Sequence, residues 1–399
     1  MNTAQISPSA PLTGLAQPLA ITMWDFSWLE RRWPGAGYED WGRALDELAE
    51  RGYNAVRIDA FPHLLDAAPD KDWDLEVLWT VQDWGSPAPT RVRVWPALPE
   101  FIRACRARGI RVALSTWFRK DTTDTRMSIR TPLDMARIWT STLKMLQKEG
   151  LLDDLLYVDL CNEWPGLHWA PFFQNDPPEL TWGGWHTRTS LDYMRESIAL
   201  VREAFPKVPL TYSFNPENPQ AAASDLSFLD FFEPHIWMVN AHGYSFNPKV
   251  GYGFELTDPR GYHNIQKNAE RVYRQDAAHW NRGLIDLINT YAEVGRTHGR
   301  ALITTECWGI IDYKDWPLLD WGWVKETCEL GTLTAAATGR WAAIATSNFC
   351  GPQFHGMWRD IAWHQRLTSV IKSASLPLCG VHQVEDSHRN ESPVTDHTL

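Results

Sequence analysis

Two glutamates stand where carboxylates are costly. Glu163 closes the apolar run of YVDLCNEWPG, residues 157–166, directly after Asn162, and Glu306 lies inside LITTECWG. Their flanks are hydrophobic or aromatic, and burying such groups without partners is expensive. Two carboxyls facing each other across a pocket can divide a reaction, one protonating a leaving oxygen while the other attacks the carbon it leaves. Cleavage of a glycosidic bond is the chemistry that suits such a pair. The division of roles follows environment: a glutamate among Trp and Leu drifts toward its protonated form, whereas one beside an arginine stays ionised. Arg57, in NAVRID, is the candidate cation. Glu306 is its expected partner, with Asp59 the plainer alternative. Glu306 is then the nucleophile, and Glu163 the acid and later the base. Each residue alone has a duller use, because strand-end carboxylates commonly serve helix starts. Their joint occurrence is what argues for chemistry.

Such residues need rigid elements to hold them. Short apolar, β-branched or aromatic runs recur at 19–26, 54–61, 110–118, 155–162, 209–214, 228–238, 301–308 and 341–349. Amphipathic stretches separate them, which is the rhythm of βα units around a parallel sheet. In residues 38–52, Trp41, Leu45 and Leu48 fall on one helical face. Another helical run extends from Asn264 to His298, and Gly52, Gly109, Gly150 and Gly299 stand where helix C-caps belong. Eight strands in this alternation predict an α/β chain folded as a single (β/α)8 TIM barrel. The connection from Phe214 to Phe228 is too short for a full helix. Long aromatic βα loops follow strand 2 (62–95), strand 4 (164–188) and strand 6 (239–264), at the face where such barrels carry their sites. Residues 1–18 read as an N-terminal leader, 19–379 as the catalytic barrel and 380–399 as a polar tail.

Composition narrows the ligand. With 399 residues, 44% of them hydrophobic, the chain can fill a large core. A net charge of −11 disfavours nucleic acid and anionic membrane surfaces. No run is long enough to cross a membrane and no signal peptide is visible. Six cysteines without a CxxC pair fit reduced thiols, so a cytoplasmic location is expected. The mechanism calls for no cofactor, and clustered metal ligands are not evident. The 23 tryptophans suit sugar stacking, although most are expected to be core fillers.

Asn-Glu after strand 4, Glu on strand 7 and Arg on strand 2 together resemble the clan A glycoside hydrolases, the barrel enzymes that include the family 5 cellulases and mannanases. The resemblance spans roughly residues 19–375. It implies that Asn162 binds a sugar 2-hydroxyl, that Glu163 is the acid/base and Glu306 the nucleophile, and that Arg57 steadies the nucleophile. It also matches His235 to the first residue of the His-x-Tyr motif on strand 6. The chain departs from the pattern at two places. Trp117, in LSTWF, stands near the end of strand 3 where a His-Asn pair is usual, and Trp237 replaces the strand 6 tyrosine, a contact that Tyr244 could supply. A divergent, cellulase-like member of the clan is therefore expected, with a carbohydrate substrate.

For sugar stacking the candidates are Trp24, Trp28, Trp117, Trp164, Trp169, Trp237, Trp308 and Trp358, all at or beyond strand ends, with Trp308 the expected floor. Candidate hydroxyl readers are Asp25, His63, Asn215, His242 and Asn348. Walling loops favour exo action on small glycosides over an endo-acting β-glycanase. A sugar-binding barrel without catalysis and a metal-dependent isomerase are the rivals, and the oligomeric state is left open, a homo-oligomer included.

Overall fold

The apolar runs fold as eight parallel strands: β1 (Leu19–Asp25), β2 (Ala55–Asp59), β3 (Arg111–Ser115), β4 (Leu155–Asp159), β5 (Leu210–Thr211 and Ser213–Phe214), β6 (Glu233–Pro234 and Ile236–Trp237), β7 (Leu302–Thr304 and Cys307–Trp308) and β8 (Trp341–Ala345). This is a computed structural model, and it describes residues 12, 15–79, 84–173, 184–215, 224–253, 259–313 and 320–376. A seven-stranded sheet runs β7-β8-β1-β2-β3-β4-β5. Ser213 against Glu233 continues it to β6, and Ile236 against Cys307 joins β6 to β7. The ring is thereby closed as a (β/α)8 barrel. Five strands are buried along their whole length or nearly so, because helices cover the outside and side chains fill the inside.

The helices form where the amphipathic stretches predict them: α1 (Trp41–Glu50), α2 (Val94–Arg106), α3 (Pro132–Lys148), α4 (Arg188–Ala204), α5 (Pro259–Gln275), α6 (Ala277–His298), α7 (Gly322–Thr338) and α8 (Ile361–Ser373). Side-chain caps start α1, α3, α4, α6 and α8. Thr131 accepts from the Asp134 N–H while the Asp134 carboxylate accepts from the Thr131 N–H, a reciprocal capping box. The single helical run read from 264 to 298 is broken at Asp276, whose carboxylate accepts from the His279 N–H and starts α6. All four glycines expected at helix ends have positive φ, from +61° to +85°, a region where a Cβ is strained.

Two features depart from plain loops. The segment after β2 contains an antiparallel pair, Trp73–Leu75 with Thr90–Val92, and the one after β6 contains two short helices, Ala241–Tyr244 and Phe246–Val250. Between Phe214 and Phe228 the described residues hold no helix, and 216–223 lie outside them. The proposed tail and most of the proposed leader also lie outside the described residues. Five cysteines are free and buried, and no described helix is long and apolar enough to cross a membrane.

Candidate active site

Arg57, in the middle of β2, points into the barrel and is fully buried. A charge there needs partners, and three carboxylates supply them. Nη2 lies 2.5 Å from Asp159 Oδ2, Nε 3.6 Å from Glu233 Oε1 and Nη1 3.4 Å from Glu306 Oε1. Ser115 Oγ, Asn162 Oδ1 and Thr305 Oγ1 accept further hydrogen bonds at 2.9, 2.8 and 2.8 Å. Burial works against the guanidinium's charge, but Glu233 and Asp159 outweigh it and hold Arg57 protonated. Glu233 itself is pushed up to about 7, by burial first, with Arg57 opposing. It accepts from Thr305 Oγ1 and from the Tyr157 hydroxyl.

On this layer rest the two glutamates. One carboxylate oxygen of Glu163, one of Glu306 and a ring nitrogen of His235 lie within 4.8 Å of one another. His235 Nδ1 is 3.1 Å from Glu163 Oε1 and 3.6 Å from Glu306 Oε1, while its Nε2 faces Arg57 Nη1 at 3.5 Å. Arg57 can only donate, so Nε2 is the acceptor and Nδ1 carries the hydrogen given to Glu163. Burial lowers the His235 pKa and keeps the ring neutral. These three are also the one set of described residues whose ligand atoms could surround a metal ion. A neutral imidazole N–H bridging two carboxylates accounts for the same short distances.

Arg57 was expected to keep Glu306 ionised, and here the structure corrects the reading. The guanidinium is shared among three carboxylates, and of its two Nη contacts to them the one with Glu306 is the longer. Burial, then the neighbouring Glu163, raises the Glu306 carboxyl well above the usual range, with Arg57 opposing. Asp59, the alternative partner, instead accepts from the N–H groups of Phe61 and Trp117, at 2.6 and 2.9 Å.

Above the pair opens a cavity of about 390 Å³. Of the predicted readers and stacking residues, Asp25, Trp117, Trp169, Asn215, Trp237, Tyr244 and Asn348 line it together with both glutamates. The Trp169 indole N–H reaches Glu163 Oε2 at 3.3 Å. Tyr244, expected to serve the nucleophile, donates its hydroxyl to Asn215 Oδ1 at 2.9 Å. Asp25, Trp79, Glu163 and Tyr244 all have φ between +45° and +61°. Non-glycine residues are held there only when their surroundings demand it, at roughly 1–3 kcal/mol each, and such residues gather at functional sites.

Other predicted residues land elsewhere. Met23 and Asp25 line the cavity, so strand alternation turns Trp24 outward, where it packs edge-on against Tyr38 and Phe101. Trp308 is no floor: it lies under α7, so close that a Cβ on Gly331 would sit 2.4 Å from it, and its indole donates to Ala345 O. Trp358 is held between the Arg51 guanidinium and Glu47 near α1. Trp28 and Trp164 are core residues donating to Asp59 O and Ser190 Oγ. His63 is buried with Nε2 3.0 Å from Arg119 O, and exposed His242 stacks on His279. Asn162 and His235 are likewise absent from the lining and belong to the buried layer with Arg57. Sequence reasoning missed Trp79, Trp84, His168 and Asp312 in the lining, and the first three fall in loops already marked as long and aromatic. It also missed Asp159 and Glu233, whose signal was a carboxylate inside an apolar strand run.

A closed barrel with one glutamate after β4, another in the break of β7 and an arginine on β2 is the arrangement expected from the resemblance to barrel glycoside hydrolases. A family model described as sugar-binding cellulase-like matches residues 21–372, and the chain belongs to that family. A crystal structure from Parabacteroides distasonis, described as that of a candidate glycoside hydrolase, is 52% identical with a TM-score of 0.91, over 93% of this chain and 98% of that one. An endoglucanase of Thermotoga maritima (14% identity, TM-score 0.50, 83% and 89% covered) and an endo-β-1,4-mannanase of Thermotoga petrophila (9%, 0.51, 91% and 78%) share the fold. A comparison with curated proteins gave no match.

Proposed function

We propose that the protein is a retaining β-glycosidase acting on small glycosides or oligosaccharides from one end. The observation that carries this is the closeness of the pair: carboxylate oxygens within 4.8 Å of each other suit the separation of about 5–5.5 Å between the carboxyl groups of retaining enzymes better than the roughly 6.5–9.5 Å of inverting ones. Glu306 attacks the anomeric carbon as the glycosidic bond breaks, and Glu163 gives its proton to the departing oxygen. Glu163 then takes a proton from water, the hydroxyl oxygen bonds to the anomeric carbon, and Glu306 is released. In the free protein both Glu163 oxygens accept hydrogen bonds, from His235 and Trp169, and burial with the neighbouring Glu163 raises the Glu306 carboxyl. Attack requires Glu306 as the anion, and Arg57, which opposes that rise, is the cation that favours it.

Action from an end is supported by the cavity's size, near the lower limit of the ~300–1,000 Å³ of small-molecule sites, and by Trp79 and Trp84, which wall it from the loop after β2. The test compares Glu163→Ala and Glu306→Ala on aryl β-glycosides. Glu306→Ala should lose turnover of every substrate, on the order of 10⁴-fold or more. Glu163→Ala should lose alkyl glycosides but form the glycosyl-enzyme from substrates with acidic phenol leaving groups, and added azide should speed its breakdown. Equal losses on both substrate types would remove Glu163 from the acid role.

A further inference from the structure

Three side chains of the cavity wall carry polar atoms that find no partner among the described residues: Asp25 Oδ2, Asn348 Oδ1 and Trp237 Nε1. Each residue is only 1–2% exposed. They come from different strands, at the end of β1, just after β8 and at the end of β6. Each is fixed by its other groups. Asp25 Oδ1 accepts from the Ser27 N–H, Asn348 Nδ2 donates to Ile311 O at 3.0 Å, and the Trp237 backbone N–H donates to Asn240 Oδ1 at 2.8 Å. A buried polar atom left unpaired costs roughly 1–3 kcal/mol, so three around one cavity call for a ligand that pairs them. Each hydroxyl donates one hydrogen and can also accept, so a ligand carrying several hydroxyls can pair the carboxyl oxygen, the amide oxygen and the indole N–H.

The charge of the wall narrows the ligand further. Asp25, Glu163, Glu306 and Asp312 line the cavity, and no described lysine or arginine does. The undescribed internal segments contribute one lysine, Lys314, and no arginine. Arg57 lies below and is already committed to three carboxylates. A carboxylated or sulfated sugar would enter with its charge unpaired beside at least one carboxylate, which is strongly unfavourable.

Building on the glycosidase reading, we propose that Asp25, Asn348 and Trp237 form the hydroxyl-reading wall of the sugar subsite beside Glu306, and that this subsite takes an uncharged, hydroxyl-rich sugar and rejects uronic acids and sugar sulfates. Asp25 is its specificity-determining residue. Burial raises the Asp25 carboxyl well above its usual range, against the Ser27 hydrogen bonds, and asparagine is its neutral counterpart of the same shape.

The test measures binding apart from turnover. In Glu306→Ala, tryptophan fluorescence follows titration with p-nitrophenyl β-glucoside, β-galactoside, β-mannoside, β-xyloside, α-L-arabinofuranoside and β-glucuronide. At least one neutral glycoside should bind and the glucuronide should not. Adding Asp25→Ala should weaken that neutral ligand about tenfold or more, the factor for one buried hydrogen bond, while Asp25→Asn should stay within about threefold of Glu306→Ala alone. Unchanged thermal unfolding would show that both variants fold; should Asp25→Ala unfold, Asn348→Ala takes its place with the same expected loss. Binding of the glucuronide as tight as that of the neutral sugars, no binding of any neutral sugar, or an Asp25→Ala or Asn348→Ala variant with unchanged affinity would overturn the proposal. Neutral sugars that bind without wild-type turnover would leave this subsite standing and remove the glycosidase reading. Turnover of the glucuronide in preference to the neutral sugars would do the reverse.

Discussion

One half of the barrel is regular and the other is broken, and the two candidate glutamates come one from each, Glu163 after the continuous β4 and Glu306 from the break in β7. From β1 to β3 the strands pair without large gaps, as in the five consecutive pairs from Ala55–Arg111 to Asp59–Ser115. In β5, β6 and β7 each strand is interrupted, at Tyr212, at His235 and at Thr305–Glu306. Side chains fill the breaks in the ladder. Asp159 Oδ1 accepts the Ser213 N–H at 2.8 Å and Ser213 Oγ accepts the Glu163 N–H at 3.0 Å. The backbone stays satisfied while β7 turns Glu306 toward the cavity and β6 sets His235 beneath it. The regular half supplies stiffness, Arg57 and, after β4, Glu163; the broken half supplies Glu306 and the His235 that bridges the pair.

This contrast is open to attack at its joint. Arg57→Leu would leave Asp159 and Glu233 buried without their cation, and removing one partner of a buried ion pair costs about 3–5 kcal/mol. A fall of that size in urea-unfolding stability is expected, together with lost activity. Stability within 1 kcal/mol of wild type would mean that the two halves are not coupled through Arg57.

A smaller effect is expected at Glu233. Its folded pKa of about 7 stands above the ordinary 4.5, so the folded protein binds the proton more tightly than the unfolded chain. Its contribution to stability is full below about pH 4.5 and is lost as pH rises through about 7. Asp59, also pushed up to about 7 by burial, acts in the same direction. Burial lowers the pKa of His63, His235 and His364, which act in the opposite direction, so the test is the difference between two proteins: from pH 5 to pH 8 Glu233→Gln should change in stability relative to wild type by an amount on the order of 2 kcal/mol, in favour of the variant at the higher pH. Urea midpoints at the two pH values decide it, and equal changes in both proteins would show that Glu233 does not titrate there.

The smallest effect belongs to the regular half alone. Thr131→Ala removes the cap of α3 and should lower stability by about 1 kcal/mol with kcat unchanged. A drop in kcat without a loss of stability would break the division between stiff scaffold and reactive site.

The same contrast explains what could be read from the sequence. All eight strands were legible, because apolar runs and capping glycines are local signals. The pairing of Glu163 with Glu306 at one cavity was legible too, since Asn162-Glu163 and Glu306 interrupt apolar words with costly groups. The register of the broken strands was not. Sequence alone makes both Trp24 and Asp25 site residues although alternation allows only one of the two to face in, and nothing local says that β7 breaks at Thr305 and Glu306 and sends Trp308 under α7. Asp159 and Glu233 were passed over because each lies within a strand-like run, YVDL and FFEPH, where only tertiary neighbours reveal a partner for Arg57. The sharing of Arg57 among three carboxylates, which changes the state of Glu306, is likewise a property of strands brought together from across the chain.

The central claim is that Glu306 attacks the anomeric carbon from within reach of Glu163. Proton NMR of the first sugar released from a β-glycoside that the protein hydrolyses, recorded before mutarotation, tests it most directly. The account predicts the β-anomer as first product, with the signal lost in Glu306→Ala. The α-anomer as first product would contradict it, since water and not Glu306 would then be the nucleophile.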